Sequence, residues 1–145
     1  MRPMFFLAIV FGLGAIMGLS IIVAIVPKSF SPDSRWMWAA WVFALAAVIA
    51  ARRAQAFYGG RLKATFSGVS VALLTMILSP IPGMIYIGIE KEGAVGAFQG
   101  LIFGIAAGFY GVLFFGLLIA PVGALLGLIA RSLVLRRPIR SNATA

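Results

Sequence analysis

The chain has no cysteine and no histidine, and its only carboxylate side chains are Asp33, Glu90 and Glu92. Without cysteine there is neither a disulfide framework nor thiol chemistry. Without histidine or thiolate, imidazole- or sulfur-based metal sites and nucleophile–histidine constellations are out of reach. None of the three carboxylates lies inside an apolar block, so the intramembrane ionisable group typical of proton-coupled transport is missing as well, Glu90 being the nearest to one. Glu90 and Glu92 are two positions apart and point to different faces of a helix, which leaves no acid–base pair. These absences argue against an enzyme, and no cofactor or metal is expected.

What the chain has in abundance is apolar sequence. Hydrophobic residues make up 63% and charged residues 10%, against roughly 45–50% and about 25% in soluble domains. The apolar residues fall in blocks near or above the ~20 residues that cross a ~30 Å hydrocarbon layer. The fold expected is an all-α integral membrane protein, a single polytopic domain over residues 1–145 in which four transmembrane helices form a compact bundle. The spans run over about 4–26, 35–53, 64–89 and 94–130. The first is read as a retained span, because its apolar region exceeds the usual ~7–15 residues of a signal peptide and no small-x-small cleavage site follows. Asp33 or Ser34 is placed to cap the second helix, and Trp36, Trp38 and Trp41 belong at headgroup level.

Lys and Arg number 12 against 3 acidic residues, and eight of the twelve lie in two clusters. These are Arg52, Arg53, Arg61 and Lys63 in one loop, then Arg131, Arg136, Arg137 and Arg140 in the tail. Basic residues flanking apolar spans mark the cytoplasmic side and attract anionic lipid headgroups. The clusters therefore indicate topology and lipid contact, not a nucleic-acid surface. Both termini are placed in the cytoplasm, with a bacterial inner membrane as the expected location.

The block 94–130 corresponds to roughly 55 Å of helix at ~1.5 Å per residue. One upright span does not need that length, so the last helix is expected to tilt and to kink at Pro121. An alternative makes Ser79-Pro80-Ile81-Pro82-Gly83 the tip of a re-entrant hairpin and splits the last block in two. It is disfavoured, because it exposes irregular backbone to lipid and finds no polar turn within 94–130.

Two constellations stand out. Gly96, Gly100, Gly104 and Gly108 recur at four-residue intervals, with Gly116 on the same row and Gly123 and Gly127 beyond. Residues i and i+4 share a helix face, so this is a groove into which another backbone fits closely; Gly14 and Gly18 on the first span offer a matching pair. The second constellation is the proline pair. Pro80 cannot donate to the carbonyl of Met76, nor Pro82 to that of Leu78. The third helix is therefore expected to break, making Met76, Leu78, Ser79, Pro80, Pro82 and Gly83 the candidate ligand pathway, with Ser79 or Thr75 as a possible hydroxyl donor. The reading these features favour is a non-enzymatic accessory, assembly or scaffold subunit that packs through its glycine face, by self-association or within a larger membrane complex. The alternative is a small oligomeric channel or transporter lined by the broken third helix.

Overall fold

The computed structural model describes the backbone of residues 2–25 and 32–135, and the side chains of residues 5–18, 20 and 37–135. Helices α1 (Arg2–Ile25), α2 (Pro32–Arg52), α3 (Ala54–Phe57), α4 (Arg61–Leu78) and α5 (Ile81–Leu135) follow one another, and the described residues contain no strand. Helix α2 starts at Pro32, where the missing N–H costs nothing because a first-turn donor has no partner within the helix. Asp33 and Ser34 thus fall inside its first turn, not at a cap position, and their side chains, like that of Trp36, lie outside the described residues. The tail residues Arg136, Arg137 and Arg140 also lie outside them.

Helix α5 is two helices joined at a sharp turn. Glu92 (φ −138°, ψ 16°) and Gly93 (φ 60°, ψ −134°) leave helical geometry, and Gly93 has the only positive φ among the described residues. A side chain is disfavoured in that conformation, so the glycine is what permits the reversal. The first limb, 81–91, continues the course of α4, and the second limb, 94–135, returns antiparallel to both. At Pro121, where a kink is expected, the helix keeps helical dihedrals. A single proline there forfeits the bond to the Leu117 carbonyl.

The hairpin is held together backbone against backbone. A Cβ added at Gly96 would strike the carbonyl of Gly88, one at Gly100 the carbonyl of Met84, and one at Gly108 the carbonyl of Ile77. At Gly104 it would lie 2.7 Å from the Ile81 Cα, at Gly123 2.9 Å from the Gly68 oxygen, and at Gly127 3.1 Å from the carbonyl carbon of Ala64. The row opens near Gly116, where the nearest atom across the interface is a Leu73 methyl at 4.0 Å. The backbone that enters the glycine groove is thus that of 64–88, and not the first span. Gly14 instead meets the Leu126 side chain, and nothing lies within 4 Å of Gly18.

Helices α1 and α2 pair with each other and flank the hairpin. Gly12 of α1 lies against the Phe43 ring, and Gly83 of the first limb against the indole of Trp38. The buried cluster joins Leu7 and Phe11 of α1, Ala46 and Ala50 of α2, Ala54 and Phe57 of α3, Ala64 and Val71 of α4, and Ala130 of α5. The Phe11 and Phe57 rings sit 5.3 Å apart, a contact worth about 0.5–1.5 kcal/mol beyond burial alone. The start of α1, the end of α2, the start of α4 and the end of α5 therefore share one end of the molecule, and the Glu92–Gly93 turn marks the other.

Among the described residues, Arg61–Leu135 is the one stretch long and apolar enough to cross a membrane; Phe5–Gly18 and Met37–Arg52 are shorter apolar helices. That is compatible with a membrane location. The hairpin register makes a direct prediction. Gly108→Ala forces backbone apart and should destabilise by about 1–3 kcal/mol, whereas Gly18→Ala meets open space and should be neutral or stabilising by up to ~1 kcal/mol. Unfolding midpoints in detergent would show it, and equal effects of the two substitutions would overturn the register.

Candidate functional site

The proline segment is less disrupted than its sequence suggests. Helix α4 ends at Leu78 and α5 begins at Ile81, leaving only Ser79 and Pro80 between them. Ser79 keeps right-handed helical angles (φ −62°, ψ −38°) although it precedes a proline, and its N–H donates to the Thr75 carbonyl at 2.9 Å. The Met84 N–H donates to the Pro80 carbonyl at 3.1 Å, so the ladder resumes within a turn. Pro82 occupies the first turn of the new helix, where its missing donor is tolerated. The expected break is thus a two-residue interruption of a nearly continuous helix.

The acceptor that Pro80 frees is already served: the Ser79 hydroxyl donates to the Met76 carbonyl at 3.1 Å. Thr75 does not help, since its hydroxyl donates back to the Val71 carbonyl at 2.7 Å. Around the interruption, Ile81 closes against Gly104 and Gly83 against Trp38. Ser79, Pro80, Pro82 and Gly83 are half-buried, as are Met76 and Leu78. The segment is a packed joint, and the open space lies elsewhere.

That space is a half-open groove of about 490 Å³ along the outer part of the hairpin. Met84, Ile87, Phe103 and Tyr110 line it together with Gly88, Gly96 and Gly100, and Lys91 and Glu92 line it next to the hairpin turn. The groove exists because two helices whose interface lacks side chains leave a shallow trough beside it. Gln99 lines it too, about three turns from Tyr110 on the same face. These two are the only polar side chains in 94–130, and that spacing is a signal visible in the sequence. An amide, a phenol and an exposed Lys–Glu pair supply hydrogen bonds but no nucleophile–base pair. Among the described residues no three of His, Cys, Asp and Glu are grouped so as to hold a metal ion.

At the opposite end, the two-glycine turn Tyr58-Gly59-Gly60 gathers cations. The Arg131 Nε donates to the Gly59 carbonyl at 3.0 Å across the molecule. The Lys63 stem passes 3.1 Å from where a Gly59 Cβ would stand. Arg52 and Arg53 close α2 and Arg61 opens α4, all three exposed. Residues 52–63, expected to form a basic loop, contain α3, and Phe57 within it is fully buried. The pair Ala54 and Phe57, one helical turn apart, is the visible sign of that buried turn.

No family model, curated protein or solved structure matches this chain.

Two hydroxyls give a test of the packing. Ser79→Ala removes the one side-chain donor to the Met76 carbonyl and should cost about 1–3 kcal/mol. Ser67, 4% exposed, has no hydrogen-bond partner among the described residues, so Ser67→Ala relieves a desolvation penalty and should raise the unfolding midpoint. Thermal melts of the two variants in one detergent would separate them; a reversed order would contradict both assignments.

Proposed function

We propose that this chain is a polytopic integral membrane protein of four spans that acts, without chemistry of its own, as an accessory or assembly subunit of a membrane complex. The observation that supports this most is the inverted distribution of side-chain size. The interior of the hairpin is glycine, while Leu113, Phe114 and Leu117 are 75%, 76% and 87% exposed, and Phe98, Ile102, Phe103, Phe109 and Leu118 are also exposed. In water, contiguous apolar surface of this extent is untenable without a partner. In hydrocarbon it is the natural exterior, since lipid tails are as apolar as leucine and close backbone packing drives helix association.

On this reading α1, α2, α4 with the first limb of α5, and the second limb are the four spans. Arg52, Arg53, Arg61, Lys63 and Arg131 collect at one end and Glu90, Lys91 and Glu92 at the other, and this asymmetry favours placing the basic end and both chain termini in the cytoplasm; the membrane proposed is the inner membrane of a bacterial cell. Because the glycine face is occupied by the chain's own α4 and first limb, contact with a further subunit or a second copy falls to the apolar outer face of the second limb. The channel or transporter reading has less support, since the proline joint is packed and its Met76 carbonyl is already paired.

The chain lacks cysteine, so Glu92→Cys introduces a unique label site. A membrane-impermeant maleimide should label it from the periplasmic side in intact cells; labelling from the cytoplasmic side alone would overturn the topology. Mild-detergent purification should bring down a membrane partner whose level falls when this chain is deleted. A purified, partner-free chain that conducts a solute in reconstituted vesicles would instead replace the assembly role.

A further inference from the structure

Among the described residues, no carboxylate side chain lies at the cation end of the molecule. Arg131 and Lys63 both meet the backbone at Gly59, one through a hydrogen bond and the other through its stem. Arg61 lies two residues away in sequence, and Arg53 lies at the head of α3. Only the Nε of Arg131 is committed; its terminal nitrogens have no hydrogen-bond partner among the described residues. Like charges gathered in this way repel unless anions intervene.

The chain's side-chain carboxylates cannot serve. Asp33 lies in the first turn of α2, whereas Arg52 lies in its last. Glu90 and Glu92 border the hairpin turn, separated from Arg61 by α4 and the first limb, a distance of roughly 45 Å at ~1.5 Å per residue. At physiological ionic strength charges interact over about 8 Å, so none of these three side chains neutralises the patch. The surroundings of the patch indicate what does. Leu62 and Phe66, 73% and 68% exposed, stand one turn apart beside Arg61 and Lys63, and Tyr58 is half exposed. Anionic oxygens beside the cations and an apolar chain along Leu62 and Phe66 are the two halves of a phospholipid.

We infer that the Gly59 turn, with Arg131, Lys63, Arg61 and Arg53 around it, is a binding site for the phosphate headgroup of an anionic phospholipid whose acyl chain lies along Leu62 and Phe66. The inference rests on the membrane reading above and adds a specific lipid site to it. By bridging the end of α2, the start of α4 and the end of α5, the phosphate completes the closure that the Arg131–Gly59 bond begins.

The test titrates detergent-solubilised protein with phosphatidylglycerol or with zwitterionic phosphatidylcholine and reads bound lipid by native mass spectrometry. Phosphatidylglycerol should be preferred, and the preference should fall roughly fivefold for each cation removed in R61Q/K63Q and in R53Q, with K91Q, at the other end, unchanged. R53Q keeps the test alive should the double variant fail to fold. Equal binding of the two lipids, a preference retained in R61Q/K63Q and R53Q, or displacement of the lipid by millimolar inorganic phosphate would overturn the site. Membrane insertion is read separately by alkaline carbonate extraction. A chain that resists extraction but shows no lipid preference refutes this site alone; a chain that is extracted refutes the membrane reading as well.

Discussion

Everything in this molecule depends on two helical backbones being allowed to touch. Residues 64–88 and the second limb of α5 meet at Gly68, Gly88, Gly96, Gly100, Gly104, Gly108, Gly123 and Gly127, and at most of these an added methyl would collide with main-chain atoms across the interface. Glycine inside a helix is unfavourable by about 1 kcal/mol relative to alanine, so a run of them persists only where the contact returns more than it costs. Dispersion between closely apposed backbones supplies that return. Large side chains, excluded from the seam, are pushed to the outside, and the exposed phenylalanines and leucines of the second limb follow from that displacement.

The other elements adjust to the hairpin. Trp38 fills the space that Gly83 leaves open, Phe43 does the same at Gly12, and the alanines of α2 and α4 bring α1 and α2 against the flank. At the cation end, Phe57 anchors α3 against Phe11, and the Arg131–Gly59 bond ties the returning helix to the turn that precedes α4. A four-residue helix in a nominal loop thereby becomes the floor of the end that carries most of the charge.

Much of this was legible in the residues, and the omissions have physical causes. The helical class, the reversal near Glu92 and the glycine row are written in composition and spacing, since only Gly93 suits a left-handed turn and only glycine recurs in fours. The partner of that row was not legible. Ile77, Ile81 and Met84 oppose the glycines with their main chain, and backbone contact leaves no mark on residue type, whereas Gly14 and Gly18 resembled a partner without being one. At the proline pair the interruption was legible, as α4 ends at Leu78 and α5 begins at Ile81, but its brevity was not, because counting lost donors ignores replacement: Ser79 supplies a hydroxyl to Met76, and Pro82 falls where a helix has no use for an N–H. Phe57 was hidden among cations because its burial comes from Phe11, more than forty residues upstream. Gln99 and Tyr110 were visible as polar exceptions, but the groove they share exists only once the two limbs are paired.

The turn at Glu92–Gly93 also sets the order in which the fold can assemble. Contacts across the seam begin with Gly88 against Gly96 and end with Ala64 against Gly127, so loop length grows steadily from the turn outward. Each contact formed brings the next pair within reach, and the entropy of closing the chain is met in small increments and not all at once. The hairpin is in that sense a zipper with its slider at Gly93, able to close before α1 and α2 have docked.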